Sequence, residues 1–282
     1  MSDSTGHVHD LRQVLEALVA GRMDLDTALQ KLRLFQVAQL GEFARLDTNR
    51  DLRKGVPEVI YASRKSDPEL EAIVRRCLVD RGFALLTRLE PAEALKLSEA
   101  LGAHGPDARG ETQAAIAGLE IAYNERAKVM AAHSGGYRAP QERGCVGLLT
   151  AGTSDIPVAE EAALVMTHMG CRVERGYDVG VAGLHRLLEP LTRVLENGAD
   201  VLVVVAGMEG ALPSVVAGLV DVPVIGVPTS TGYGLGGDGT AALYSMLQSC
   251  SPGLVTVNID NGVGAGAAAA LIAKRGSEAR PS

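Results

Sequence analysis

The sequence has no tryptophan, and aromatic residues make up only 3% of its 282 residues. Its core must therefore be built from Val, Leu, Ile and Ala, the residues that fill sheets covered by helices on both faces. No apolar run is long enough to span a bilayer, and the first residues lack the basic and apolar regions of a signal peptide. We therefore expect a cytoplasmic α/β protein without a membrane partner.

Positive charge is also scarce, since 34 Asp and Glu outnumber 27 Lys and Arg and give a formal net charge of −7. Broad capture of nucleic acid needs a basic surface, so we expect a small-molecule partner and no nucleic acid. The four cysteines show neither CxxC pairing nor zinc-ligand spacing, and we expect them to be thiols. They are Cys77, Cys145, Cys171 and Cys250.

Repeated units of apolar run, Gly-rich turn and helix fill the second half of the chain. Such repetition is the signature of right-handed βαβ crossovers in one parallel sheet. It predicts a three-layer αβα, flavodoxin-like catalytic domain over residues 144–276, whose ligand lies beyond the carboxyl ends of the strands. The predicted strands are 146–149, 201–205, 224–227 and 255–259.

Residues 1–135 are predicted to form a smaller N-terminal helical and α+β region. A stretch of Gly, Pro and charged residues over 133–143 is the predicted linker between the two domains. The predicted elements are a helical pair over 9–35 with Asp24 capping its second helix, strands at 59–61, 83–86 and 116–121, and helices at 68–81 and 91–101.

Two loops in the second half are rich in glycine and hydroxyl groups. Residues 152–155 place Ser154 and Asp155 at a helix N-terminus, where free amides favour a phosphate or carboxylate, although an ordinary N-cap is the alternative. Residues 228–239 could wrap a phosphate with their amides, against the alternative of a flexible turn. The residues of interest in this second loop are Thr229, Ser230 and Gly232.

Charged and nucleophilic candidates lie near other turns. Glu209 follows the most apolar strand, where partial desolvation would suit it to proton transfer; a partner of the helix dipole is the alternative. His185 and Arg186 could serve an anion or lie on a solvated helix face. Cys250 lies in a turn of small residues and is the leading candidate nucleophile, although a lone cysteine is more often inert than catalytic. Cys145 and Cys171 we interpret as core residues.

The motifs together resemble two related families. Residues 152–155, 179–187, 206–213 and 226–261 resemble the class I aminoimidazole ribonucleotide (AIR) carboxylase/mutase family, called PurE. From about residue 40 to 270 the chain more closely resembles the LarB family, the carboxylase/hydrolases that begin synthesis of the nickel-pincer nucleotide cofactor. The segments typical of LarB are 47–58, 178–187, 249–253 and 258–262, and the purine family lacks the cysteine within them.

The LarB resemblance implies an enzyme that carboxylates nicotinic acid adenine dinucleotide at C5 of its pyridinium ring with CO₂ or bicarbonate. It then implies hydrolysis to the dicarboxylated mononucleotide and AMP. Cys250 would add to C4 of the ring, and Glu209 would remove the C5 proton. No tightly bound cofactor is implied; a divalent cation such as Mg²⁺ could polarise the pyrophosphate, although no carboxylate cluster marks a metal site.

The resemblance also assigns binding roles. Asp155, a catalytic candidate, would line the mononucleotide phosphate and ribose together with Ser154, Thr229, Ser230 and Gly232. His185 and Arg186 fall where the purine family keeps a His-Arg pair. The adenylate part would face Asn49, Arg50 and Arg53.

Two other functions stay open on the sequence alone. An AIR carboxylase/mutase would need neither the covalent cysteine nor the long N-terminal segment, and a non-catalytic nucleotide-binding module would show no turnover. The Ala- and Gly-rich helical faces and the matched core predict a homo-oligomer, expected to be an octamer.

Overall fold

The structure is a computed structural model that describes residues 14–33, 38–40, 44–47, 50, 54–102 and 118–278. Within these ranges no helix is long and apolar enough to cross a membrane. The described residues form three sheets: a two-stranded and a four-stranded sheet in the N-terminal half, and a five-stranded sheet in the C-terminal half.

The N-terminal half combines helices with short strands, as the sequence predicts. Asp24 caps the second helix, since its Oδ1 accepts a hydrogen bond from the amide of Thr27 at 2.7 Å. Residues 9–13 and 34–35 of the predicted helical pair lie outside the described residues. The elements are α1 (14–19), α2 (Leu25–Arg33), β1 (Ala38–Leu40), β2 (Ala44–Leu46), β3 (Val59–Tyr61), α3 (Asp67–Arg81), β4 (Phe83–Thr87), α4 (Pro91–Gly102), β5 (Glu120–Asn124) and β6 (Val129–His133).

Strands β3 to β6 form a mixed sheet in the order β3-β4-β6-β5, which we call the N-terminal sheet. Strand β5 begins at Glu120, later than the predicted strand at 116–121, whose first two residues lie outside the described ranges. Strand β6 is absent from the sequence prediction, because Ala131 and Ala132 are weak strand formers. A hairpin of β1 and β2 was not predicted either.

The second half forms the predicted three-layer α/β core. Its sheet, the C-terminal sheet, has the order β11-β10-β9-β7-β8, and every neighbouring pair is parallel. Of the linker predicted over 133–143, His133 still belongs to β6, and residues 134–143 contain neither helix nor strand. The elements are β7 (Cys145–Thr150), α5 (Ile156–His168), β8 (Arg172–Gly176), α6 (His185–Glu196), β9 (Val201–Ala206), α7 (Leu212–Ala217), β10 (Val224–Pro228), α8 (Thr240–Leu247), β11 (Leu254–Thr256) and α9 (Gly262–Glu278).

Helices cover both faces of the C-terminal sheet. Helices α5 and α9 pack on one face over Val203 and Val205, and α6, α7 and α8 pack on the other over Leu202 and Val204. Strand β8 escaped prediction because it is an edge strand rich in charge, with Arg172, Glu174 and Arg175. Strand β11 is also shorter than the predicted 255–259.

An ion pair between the buried side chain of Glu161 and the half-buried side chain of Arg88 joins the two halves of the chain. Glu161 of α5 is only 4% exposed, and its Oε1 accepts hydrogen bonds from Thr87 Oγ1 at 2.6 Å and Arg88 Nε at 2.5 Å. Burial raises the pKa of the Glu161 carboxyl above its ordinary value, although Thr87 and Arg88 lower it in part. The charged form of Glu161 therefore depends on these two residues of the N-terminal half.

We predict that Arg88→Met lowers the free energy of unfolding by about 3 kcal/mol at neutral pH, because an unpaired carboxylate stays buried. The folded-state pKa of Glu161 already lies above its unfolded value and rises further in the variant. Above that pKa, the buried charge of Glu161 lowers the free energy of unfolding. Below it, Glu161 is protonated and neutral, and this destabilisation is lost. Urea unfolding at several pH values should show the deficit shrinking as the pH falls through the folded-state pKa.

Lys128→Met is the matched control, because Lys128 Nζ pairs with Glu90 Oε1 at 2.7 Å where both side chains are exposed. That variant should lose at most about 1 kcal/mol at every pH. An equal loss of unfolding free energy in both variants would contradict the role of the ion pair between Arg88 and Glu161.

Candidate active site

A cavity of about 680 Å³ opens at the carboxyl ends of β7, β9 and β10, where ligands bind in parallel α/β sheets. The sequence predicts a ligand at this edge. We call this the edge cavity. Six of the predicted site residues contribute to its lining: Ser154, Asp155, Arg186, Glu209, Ser230 and Gly232.

Asp155 is the buried anchor of the edge cavity. Its Oδ1 accepts hydrogen bonds from Thr229 Oγ1 and Thr231 Oγ1, both at 2.7 Å, and its Oδ2 accepts one from the Gly152 amide at 2.9 Å. The carboxylate is only 4% exposed, so these donors replace water around its charge. The contacts tie the loop after β7 to the loop after β10 and fix the floor of the cavity.

Ser230 is held by a second carboxylate. Its amide donates to Asp260 Oδ1 at 2.9 Å and its hydroxyl donates to Asp260 Oδ2 at 2.6 Å. Asp260 follows β11, so this contact joins the loops after β10 and β11. Thr229 is buried and its hydroxyl is hydrogen-bonded to Asp155, whereas Ser154 is exposed at the cavity wall.

Glu209 lies at the rim, in a turn whose backbone is tightly constrained. Met208 and Gly210 have φ values of 51° and 62°, and a Cβ at Gly207 would collide with the Thr231 carbonyl oxygen. The turn directs Glu209 to the cavity lining, but its side chain is exposed in the single chain. The desolvation expected from the sequence is therefore absent here, because the turn projects beyond the apolar strand.

The two residues of the predicted His-Arg pair lie in different places, and only Arg186 lines the edge cavity. Arg186 lines the edge cavity and its Nη1 donates to Asp178 Oδ2 at 2.9 Å, with both side chains part-exposed. His185 begins α6, is exposed and does not line the cavity. The structure thus brings Arg186 to the site and leaves His185 on the helix surface.

Cys250 lies away from the edge cavity within one chain. It sits between the end of α8 and the start of β11, at the amino edge of the sheet, and is exposed. The next residue anchors this turn, since Ser251 Oγ donates to the Ser214 carbonyl oxygen at 2.8 Å. A strand of this sheet spans about 20 Å at roughly 3.3 Å per residue, so Cys250 and Glu209 lie near opposite edges.

The other three cysteines are buried. Burial raises the pKa of Cys77 and of Cys171 to about 11, and it also raises the pKa of Cys145. The interpretation of Cys145 and Cys171 as core residues is confirmed. Since a thiolate is needed for attack, Cys250 is the one exposed candidate among these four thiols.

The predicted adenylate contacts are only partly described. Asn49 and Arg53 lie outside the described residues, while Arg50 Nη1 donates to Glu58 Oε2 at 2.8 Å. Arg50 does not line the edge cavity. In the part of the chain that the structure describes, no group of three or more His, Cys, Asp or Glu could hold a metal ion, so we derive no step through Mg²⁺.

The sequence reasoning missed two residues of the site. Thr231 is not among the predicted site residues, yet its hydroxyl donates to the same Asp155 oxygen as the hydroxyl of Thr229. The run of three hydroxyl residues, Thr-Ser-Thr, is the sequence signal that could have indicated it. Asp260 was noted only within a family-like segment, and its contact with Ser230 spans 30 residues of sequence. Only the packed loops reveal it.

Comparison with known proteins matches both halves of the chain. Residues 145–280 match the AIR carboxylase family model, and residues 37–134 match the LarB/PurE-like N-terminal domain. An uncharacterized protein of Methanocaldococcus jannaschii is 43% identical over 265 residues, which cover 94% of this chain and 97% of that protein. The sequence resemblance is thus confirmed at the level of a LarB/PurE-like protein.

Two mutases match only a part of the chain. The N5-carboxyaminoimidazole ribonucleotide mutase of M. jannaschii is 38% identical over 112 residues, covering 39% of this chain and 66% of the mutase. The mutase of the same name from Thermotoga maritima is 34% identical over 134 residues, covering 45% of this chain and 73% of the mutase. Together with the AIR carboxylase model, they show an enzyme of the carboxylase/mutase type.

We predict that Thr229→Val lowers the free energy of unfolding by about 1 to 3 kcal/mol, because a buried carboxylate loses one donor while the side-chain shape is kept. Ser230→Ala is the control, because it removes a hydroxyl donor from the Asp260 carboxylate, which is more exposed than that of Asp155. This variant should lower the free energy of unfolding by at most about 1 kcal/mol. Urea unfolding of both variants measures the difference. A neutral Thr229→Val would show that the hydroxyl does not support Asp155.

Proposed function

The chain belongs to the family of LarB/PurE-like proteins, and on that premise we propose that it carboxylates nicotinic acid adenine dinucleotide. CO₂ or bicarbonate supplies the carboxyl group at C5 of the pyridinium ring, and hydrolysis of the pyrophosphate then releases AMP. The product is the dicarboxylated mononucleotide used for the nickel-pincer cofactor. The observation that carries this proposal is the N-terminal match over residues 37–134, which lies outside the AIR carboxylase match.

The chemistry needs a nucleophile and a base. Attack of the Cys250 thiolate forms a C–S bond at C4 and converts the cationic pyridinium into a neutral dihydropyridine, whose C5 is an enamine carbon. C5 then attacks CO₂ and forms the new C–C bond, which leaves an iminium. Glu209 removes the C5 proton and regenerates the enamine, and expulsion of the thiolate from C4 restores the aromatic ring.

The two groups lie at opposite edges of the sheet, so we propose that Cys250 acts in the edge cavity of a second copy. Exposed apolar side chains support this arrangement at both places. Tyr233 and Leu235 lie in the loop at the cavity rim, while Tyr244, Leu247 and Val255 lie on α8 and β11, beside Cys250. Two different surfaces can meet reciprocally across a two-fold axis, or head to tail in a ring when the rotation between copies closes. The expected octamer is compatible with such rings.

Substrate binding is proposed to use groups around the cavity floor. Ser154, Ser230 and the amide of Gly232 would bind the phosphate and ribose, with Arg186 as a nearby cation. Thr229 would act indirectly, because its hydroxyl holds Asp155. The roles of His185 and of Asn49, Arg50 and Arg53 toward the adenylate stay predictions. We place the enzyme in the cytoplasm, where Cys250 would stay reduced, and propose no tightly bound cofactor.

A second candidate function is that of an AIR carboxylase/mutase, favoured by the AIR carboxylase match over residues 145–280 and by the two mutases that match part of the chain. The discriminating experiment incubates the full chain with ¹³C-bicarbonate and either the dinucleotide or aminoimidazole ribonucleotide. We expect ¹³C incorporation and AMP release with the dinucleotide only. Labelled product from aminoimidazole ribonucleotide alone would establish an AIR carboxylase. Conversion of N5-carboxyaminoimidazole ribonucleotide to an isomer without added bicarbonate would establish a mutase, and turnover of none of the three compounds would support a non-catalytic module.

We predict that Glu209→Gln binds the dinucleotide with little loss but carboxylates it at least about 10²-fold more slowly, because the amide cannot accept the C5 proton. Glu189→Gln is the control, since Glu189 is also exposed but lies on α6 away from the cavity lining. Rates of ¹³C incorporation compare the variants. Parental turnover in Glu209→Gln would remove this residue from the mechanism.

We predict that Cys250→Ser abolishes the near-ultraviolet absorbance of the dihydropyridine adduct and slows carboxylation at least about 10²-fold, because a hydroxyl supplies no anion near neutrality. Cys145→Ala should retain both signals, since that thiol is buried in the core. Circular dichroism checks that each variant is folded. A folded Cys250→Ser with the parental rate would disprove covalent catalysis.

A further inference from the structure

Arg88 makes a contact that the ion pair with Glu161 does not explain. Its Nη2 donates to the backbone carbonyl oxygen of Asp260 at 2.9 Å, while its Nε donates to Glu161 Oε1. One planar guanidinium thus binds a helix of the C-terminal half and the loop that follows β11 at the same time. Arg88 itself belongs to the N-terminal half, directly after β4.

The loop at Asp260 has little freedom to adjust. Asp260 has a φ of 55°, a left-handed conformation that non-glycine residues rarely adopt, and its amide donates to the Pro228 carbonyl oxygen at 2.8 Å. On its other side, a Cβ at Gly262 would collide with the Val158 carbonyl oxygen, so this backbone lies directly against α5. The hydrogen bond from Arg88 therefore holds the backbone carbonyl of Asp260 in place from the side of the N-terminal half.

The side chain of the same Asp260 holds Ser230. Both Oδ atoms accept hydrogen bonds from Ser230, one from its amide and one from its hydroxyl, and Ser230 lines the edge cavity. A continuous set of contacts therefore runs from Glu161 through Arg88 and Asp260 to the cavity wall. Each step is a hydrogen bond of 2.9 Å or less.

We propose that Arg88 is a positioning residue through which the N-terminal half sets the place of Ser230 in the edge cavity. The N-terminal half then acts on substrate binding without touching the substrate at this point. The proposal rests on the proposed function only for the identity of the ligand that Ser230 binds.

Arg88→Lys separates positioning from stability. Lysine keeps a cation beside Glu161, but its single ammonium group cannot reproduce the fixed fork that binds Glu161 and the Asp260 carbonyl together. The matched control is Arg175→Lys. Arg175 Nε pairs at 2.9 Å with Oε1 of Glu160, the neighbour of Glu161 on α5, and Arg175 contacts neither Asp260 nor Ser230.

Hydrogen exchange read by mass spectrometry tests the positioning without any substrate. In Arg88→Lys, amides of residues 229–232 and 259–262 should exchange about fivefold to tenfold faster, the effect of losing one hydrogen bond to the loop. Amides of β9 should keep the parental rate, and Arg175→Lys should leave both loop segments unchanged. Parental exchange in both loop segments of Arg88→Lys would overturn the proposal, as would equal acceleration in Arg175→Lys.

A double-mutant cycle then tests the link to the ligand. Equilibrium dialysis with nicotinic acid adenine dinucleotide should show binding weakened about fivefold by Arg88→Lys in the parent chain, and less than about twofold when Ser230→Ala is already present. Equal weakening in both backgrounds would show that Arg88 does not act through Ser230. If the parent chain does not bind the dinucleotide, the proposed function fails, whereas the hydrogen-exchange result still decides the role of Arg88.

Discussion

All five strands of the C-terminal sheet run in the same direction, and this constraint decides which residues of one chain can meet. The loops that follow β7, β9 and β10 gather at one edge, where Asp155, Glu209 and Ser230 surround the edge cavity. Cys250 precedes β11 and therefore lies at the other edge. A mechanism that uses both Cys250 and Glu209 requires two copies of the chain.

The N-terminal half matters because it is packed against the helix that faces this same sheet. Buried Glu161 is paired by Arg88 and Thr87, and the same arginine reaches the loop after β11. The buried carboxylate of Glu161 thus links the two halves and is connected to Ser230 of the edge cavity through three successive hydrogen-bonded steps. The LarB/PurE-like N-terminal region therefore contributes a hydrogen bond to a loop at the carboxyl edge of the AIR carboxylase-like core.

Residue patterns predicted the parallel core well, because Val-rich runs such as Val201–Ala206 and Gly-rich turns are local signals. The edge strand Arg172–Gly176 escaped prediction, since its charged residues hide the strand pattern. Asp155 and Glu209 were predicted from their position after strands and do line the cavity. The partners Thr231 and Asp260, and the distance of Cys250 from the cavity, depend on packing between segments far apart in sequence.

The central claim, that each site combines Glu209 of one copy with Cys250 of another, is tested most directly by complementation. Glu209→Gln chains and Cys250→Ser chains are co-expressed, and the mixed oligomers are assayed for ¹³C-bicarbonate incorporation into the dinucleotide. Random assembly leaves both native residues in about one quarter of shared sites, so we expect about a quarter of the parental rate, although each variant alone is nearly inactive. Mixed oligomers as inactive as the separate variants would contradict the account, because a site built within one chain always carries one defect.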